Sequence, residues 1–419
     1  MFYYRIVFRW SFLLCLLSMT GVRAQEIAVI TVAADRFDRE ESPVRLLLDP
    51  VTFEPDSALA LFEQVKKEKI PVVFQIEQLP EGRVLSWILS SQTKAGAVRT
   101  YVLEKGVAAS GEKVIRTTDK GDALLLSSGA DKVMAYHYAV MLPPAGEKYE
   151  YRRSGFIHPL WSPTGEVLTH VQPKDHYHHY GIWNPWTQTS FEGKTVDFWN
   201  LASGQGAVRF KTFHSLVEGA VFGGFKAIQE HVVFKPGYEK IALMEVIGVK
   251  LWNVKAASGQ KVWLWDFSST LNCASASPLT IKAYRYGGFS IRATAEWNVN
   301  TSSILTSEGK TRKDADNTSG RWMFCNGVAG GNPSGILFLS CPANFNHPEP
   351  MRIWPESSHD VFMNFCPAKN KDWQLEPGKE YTLRYRVVTY SGEMTAARAE
   401  QYWQDFAYPP QVSVKKSNK

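Results

Sequence analysis

From Ile27 to about Ala130 the apolar positions fall in short runs: VRLLLDP (44–50), IPVVFQIEQ (70–78), RVLSWILS (83–90) and VRTYVLEKG (98–106). Each is compact or alternating, and Pro, Gly, Asp, Asn and Ser separate one from the next, as in strands joined by turns. The pattern predicts a small β-sandwich over 25–133. Within it SALALFEQVKKEK (57–69) fits two templates, an amphipathic helix of about three turns or a strand followed by a charged turn. The strands around it favour the second.

Beyond that point the runs lengthen. Met134 to Val140 reads as a strand, followed by AVRFKTFHSLVEG (207–219), GGFKAIQEHVVFKPGYEKIALMEVIGVKLW (223–252), KVWLWDFSSTLNC (261–273), GILFLSC (335–341) and YTLRYRVVTYSG (381–392). Long alternation with short turns predicts a large antiparallel β-sandwich over 134–410. Only TAARAEQYWQD (395–405) has a helical pattern, and residues 411–419, ending KKSNK, are expected to form a flexible tail.

The N-terminus changes the picture of location. Arg5 and Arg9 precede an apolar stretch from Trp10 to Met19, and Val22-Arg23-Ala24 follows it, which is the layout of a secretory signal over 1–24. The expectation is a periplasmic or secreted protein. The stretch is shorter than the roughly 18–20 apolar residues of a span, and no later segment is long enough, so no integral membrane segment is expected. Loss of Arg5, Arg9 and Arg23 would lower the formal charge from +6 to +3 (44 basic against 41 acidic residues). No basic block remains to suggest a nucleic-acid partner. Neither a phosphate-binding loop nor a dinucleotide fingerprint is present, so no nucleotide cofactor is expected. Cys273, Cys325, Cys341 and Cys366 have no CxxC spacing. They read as buried apolar residues with room for a bridge, and three pairings are open.

Candidate chemistry concentrates in one segment. Five of the ten histidines, His158, His170, His176, His178 and His179, lie within 22 residues, together with Asp175. Pro159, Pro163 and Pro173 interrupt the segment and argue for loops and short strands. An extended DHYHHYG would put His176 and His178 on one face, Tyr177 and His179 on the other. Three readings stay open: a divalent metal held by His176, His178 and Asp175; metal-free acid/base chemistry by His158, Asp175, His176, His178 and His179; or a histidine- and tryptophan-rich core. Trp161, Tyr177, Tyr180, Trp183, Trp186, Phe191, Phe198 and Trp199 crowd the same region, and flat rings beside polar groups suit a sugar. Of these Trp183 is a candidate substrate contact. Two further segments supply others. YRYGGFSIRATAEW (284–297) offers Arg285, Glu296 and above all Arg292 as an anion or hydroxyl clamp. ANFNHPEPMRIWPESSHD (343–360) brings His347, Glu349, Arg352, Glu356 and His359 into a proline-punctuated loop, with His347 and Arg352 the favoured substrate contacts.

The stretch GFIHPLWSPTGEVLTHVQPKDHYHHYGIWNPW (155–186), with VDFW (196–199), YRYGGFSIRA (284–293) and NHPEPMRIW (346–354), resembles the family catalogued as PmoA-like, of the DUF6807 type. The resemblance covers about residues 30 to 405. It implies a secreted bacterial group associated with degradation of complex glycans, and a sandwich similar to the galactose mutarotase-like super-sandwich of aldose epimerases and polysaccharide lyases. The oxygenase in the family's name implies a membrane protein with metal-bearing partners, which this chain does not resemble. Asn346-His347-Pro348 is similar to an epimerase Asn-His-Pro segment over three residues only, and no catalytic Glu is carried over. The leading expectation is a carbohydrate-active lyase, hydrolase or epimerase whose partner is a sugar or glycan. The alternatives are a non-catalytic glycan-binding or surface-assembly protein and a metal-dependent oxidoreductase.

Overall fold

The computed structural model describes residues 25–109, 111–255 and 259–417; the leader expected over 1–24 lies outside them. The chain is mainly β, in several antiparallel sheets. A five-stranded sheet and a three-stranded sheet enclose an N-terminal core that includes Ile30, Val44, Leu59, Leu85, Trp87 and Tyr101. The ambiguous segment is a hairpin, Leu59–Val65 paired with Glu68–Val72. Its turn is taken by Lys66 at φ 54.

Residues Gln411–Lys416 are not a flexible tail. They form a strand that pairs antiparallel with Glu26–Ala33, with Ala28 opposite Lys416. The sheet boundary also differs from the one the run pattern predicts. Ile115–Asp119, Ala123–Ser128 and Asp131–His137 hydrogen-bond into a sheet of the large unit, so that unit's strands begin before residue 133.

Two large sheets dominate the rest. The front sheet has nine strands, running from Ser319–Gly320 through Glu349–Ile353, Phe362–Phe365, Ser290–Arg292, Ile182–Trp183 and Phe156–Leu160 to the three just named. The back sheet has eight, in the order 206–217, 222–235, 238–252, 262–273, 381–391, 332–340, 322–329 and 302–306. Alternation explains how they pack. In the front sheet Ile157, Ile182, Ile291, Met363 and Ile353 are register partners in one row. They join Ile247, Phe267 and Tyr385 of the back sheet in the largest apolar cluster. With a period of two, their chain neighbours must face outward. One outward row is therefore His158, Gly181, Arg292, Phe362 and Trp354; the next is Phe156, Trp183, Ser290, Asn364 and Arg352.

The predicted helix spans Ala396–Ala407, with Thr395 accepting from the Arg398 backbone N–H at its start. It buries Ala399, Tyr402 and Trp403. Asp405 in turn binds buried Arg39 and Ser42, both at 2.8 Å, and so ties the N-terminal unit to the helix. All four described cysteines are free, so the room for a bridge is unused. Among the described residues no helix is long and apolar enough to cross a membrane.

Candidate functional site

The outward rows of the front sheet would be exposed if nothing lay over them. The connection 161–181 and the loop 354–361 cover them, and between these segments the histidines gather. Residues 173–179 are not extended. His176 N–H donates to Pro173 O and His179 N–H to His176 O, so the segment turns twice. That turn replaces the expected two-faced arrangement. The rings of His176 and His179 stack at 4.6 Å, with His176–His178 at 5.3 Å and His178–His179 at 4.8 Å. Behind His179 lie Trp183 at 5.2 Å, Phe362 at 5.3 Å and Trp354 at 5.6 Å, part of an apolar cluster with Phe156, Tyr180 and Trp199.

Arg292 organises the polar half. Its side chain is only 1 % exposed, and Nη2 donates to both Asp175 oxygens (3.0 and 2.9 Å) and to Asp360. Nη1 lies 3.5 Å from His179 Nδ1, and the guanidinium stacks 4.7 Å from the Trp354 ring centre. A guanidinium already facing two carboxylates is not a free substrate clamp, which corrects the expectation for Arg292: it positions protein groups. Asp175 also pairs with His176 through Oδ2 and Nδ1 at 2.7 Å. Partial burial pushes the Asp175 carboxyl up, but the hydrogen bonds from His176 and Arg292 outweigh it and hold it below its ordinary range. Burial, with repulsion from His176, pushes His178 down to about 4. Burial, with the same neighbours and Arg292, holds His179 well below the imidazole range. Both rings are therefore held neutral near pH 7. His176 is half-exposed, and its Nε2 accepts or donates no hydrogen bond among the described residues.

The other expected site residues divide. Trp183 is buried behind His179 and serves as floor rather than as a surface contact. Arg352 does reach the region: Nη2 donates to the Tyr286 hydroxyl at 3.1 Å, and Trp354 Nε1 donates to the same hydroxyl at 3.1 Å. Nη1 of Arg352 pairs with Asp316. His158 is drawn away from the trio. Its Nδ1 lies 2.9 Å from Thr169 Oγ1, and burial first, then His137 and His170, push it down to about 4. His158 is separated from Arg292 by Gly181 in the register row. At Gly181, where φ is 55, a Cβ would lie 2.3 Å from Ile157 O. His347 is placed elsewhere too, 3.1 Å from Ser340 Oγ and stacked on Trp403. Its neighbour Glu349 is fully buried and pushed up to about 7 by that burial, against hydrogen bonds from Ser340, Asn344 and Tyr385.

The donor set does not fit a metal. Asp175 is shared between Arg292 and His176, and among the described residues no group of three or more His, Cys, Asp or Glu side chains could hold an ion. Sequence reasoning missed Asp360, Trp354, Tyr286 and Asp316. The pairing of Arg292 with Phe362 brings Asp360 and Trp354 in, and no local motif could have announced that.

Structural likenesses are faint. An α-mannosidase from Enterococcus faecalis V583 is 10% identical, over 94% of this chain and 46% of that one, with a TM-score of 0.44. A GH36 α-galactosidase from Geobacillus stearothermophilus is 12% identical over 67% of this chain and 41% of that one, with a TM-score of 0.31. The chain thus spans less than half the length of either, and likenesses at this level place no activity on it. No curated protein sequence matches the chain. Residues 123–404, more than half of the chain and including every side chain of the histidine site, match the "Family of unknown function (DUF6807)", and the protein belongs to that family.

Proposed function

We propose that the outer side of the front sheet is the active site of an exported carbohydrate-directed enzyme, a lyase, hydrolase or epimerase, on a galactose mutarotase-like sandwich. The observation that carries the reading is the Asp175–His176 pair. Asp175 is anchored by buried Arg292 and holds Nδ1 of a half-exposed imidazole whose Nε2 is unpartnered among the described residues. A carboxylate on Nδ1 fixes the tautomer and turns the Nε2 lone pair outward, which is the arrangement a general base needs. After taking a proton from a substrate hydroxyl or acidic C–H, the imidazolium is stabilised by Asp175 and can return the proton to a leaving oxygen. Half-buried Tyr151 and Tyr177 flank the histidines and offer ring faces and hydroxyls to a sugar.

The test is a panel of neutral and acidic oligosaccharides assayed for new reducing ends, unsaturated products and anomer exchange, with wild type beside His176→Asn and Asp175→Asn. We expect turnover on at least one glycan, reduced about 10²- to 10⁴-fold in His176→Asn, the range of lost proton transfer. Glycan binding without turnover, equal in wild type and His176→Asn, would instead mark a non-catalytic binding protein. Export follows from the leader pattern, and recovery of the protein only from cytoplasmic fractions would refute it.

A further inference from the structure

A large cavity lies on the other side of the molecule. It has about 660 Å³ of space between the N-terminal unit and the outward face of the back sheet, within the roughly 300–1,000 Å³ of small-molecule sites. Its floor can be read from strand register. Lys226 pairs with Gly248, Gly248 with Ser268, and Ser268 with Arg384, one outward row across four strands. The adjacent row is Gly224, Lys250, Asp266 and Arg386.

The two rows differ in charge. In the second, Lys250 is paired with Glu77, and Arg386 holds Asp266 at 2.6 and 3.0 Å. In the first, neither Lys226 nor Arg384 has a carboxylate within ion-pair distance among the described residues, yet both line the cavity. Between these cations stand only a glycine and a serine. A Cβ at Gly248 would lie 2.5 Å from Ser268 Oγ, so even alanine would begin to fill the depression. Ser268 Oγ makes no hydrogen bond among the described residues. With three strand spacings between their Cα atoms, about 14 Å, the cations stand at opposite ends of a trough. Apolar Leu79, Phe406 and Pro409 line the cavity as well.

We propose that this trough is a second ligand site, for an elongated ligand of disaccharide size bearing carboxylate or sulfate groups. Lys226 and Arg384 take the acidic groups, and Ser268 Oγ donates to the body lying over Gly248. The site is independent of the histidines and does not rest on their catalytic reading.

Calorimetric titration of the whole protein with a chondroitin sulfate disaccharide, lactose and inorganic sulfate tests it. The acidic disaccharide is expected to bind more weakly as salt rises. Lys226→Ala and Arg384→Ala should each weaken it about tenfold, the loss of one charge-assisted contact. Ser268→Trp, with unchanged thermal unfolding, should abolish binding, and Asp175→Asn should leave it intact. No binding of the disaccharide, equal binding of lactose, or an unaltered affinity in the Lys226→Ala/Arg384→Ala double variant would each overturn the site. Inorganic sulfate binding as tightly as the disaccharide would also overturn it, because the trough would then be a simple ion site.

Discussion

Two of the imidazole–carboxylate pairs among the described residues, similar in length, lie in opposite surroundings. His176 Nδ1 is 2.7 Å from Asp175, with side chains 35 % and 46 % exposed; His231 Nε2 is 2.9 Å from Glu245, with side chains 0 % and 1 % exposed. The buried carboxylate is enclosed by donors, taking Asn184 Nδ2 at 2.9 Å and Ser269 Oγ at 2.5 Å besides His231. It is buried between the two large sheets. The exposed carboxylate is fixed from one side by Arg292, and its imidazole looks outward. The same chemical pair is a structural rivet in one place and a candidate proton-transfer device in the other. Access and the carboxylate's remaining partners decide which, and the identity of the residues does not.

The largest expected effect follows from the buried pair. His231→Leu leaves the Glu245 carboxylate enclosed with one partner fewer and should lower stability by about 3–5 kcal/mol, the range for breaking a buried pair. His176→Leu should lower it by less than about 1 kcal/mol, since that pair is half-exposed. Equilibrium urea unfolding measures both, and equal losses would erase the contrast. Arg292→Met comes next. It leaves Asp175 and Asp360 without their shared cation, at a loss of about 2–3 kcal/mol. The Asp175 carboxyl should rise in a carboxyl NMR titration. An unmoved carboxyl would mean that His176 alone holds it.

A further contrast lies in pH dependence. His178 titrates at about 4 when folded against 6.5 ordinarily. Both states are neutral above 6.5. As pH falls from 6.5 toward 4 the unfolded chain takes up the proton first, so stability declines across that window and this contribution levels off below it. Asp175, lowered below 3.8, acts in a separate window: its stabilisation is present above 3.8 and is lost as pH falls through the folded value. Thermal unfolding from pH 7 to 4 should therefore decline less steeply in His178→Gln than in wild type. Parallel slopes would place the acid sensitivity elsewhere.

How much of this was legible in the sequence depended on range. The strands, the helix after Thr395 and the gathering of Asp175, His176, His178 and His179 could be read locally, because alternation and proline punctuation act over a few residues. The face each histidine would take could not. That depended on the turns closed by Pro173 O and His176 O, where an extended segment would have split the trio. Arg292 stands out in the sequence as a cation on an extended run, but its pairings do not. Its partners, Asp175 and Asp360, are 117 and 68 residues away, and only the tertiary fold joins them. His347 shows the converse: a suggestive local triplet, Asn346-His347-Pro348, placed by the turn before Glu349–Ile353 against Ser340 and Trp403 instead of the trio.

The pairing of Gln411–Lys416 with Glu26–Ala33 has a kinetic consequence. The first strand of the fold receives one of its two neighbours from Val98–Lys105 and the other only from residues more than 370 positions later. During synthesis its outer edge stays open until nearly all of the chain has emerged, at a rate of roughly 5–20 residues per second. Contacts of such long range slow folding, and an open edge is a template for pairing with another chain. The N-terminal unit should thus complete its folding last although it is made first, and chaperone demand should fall on its unfinished edge.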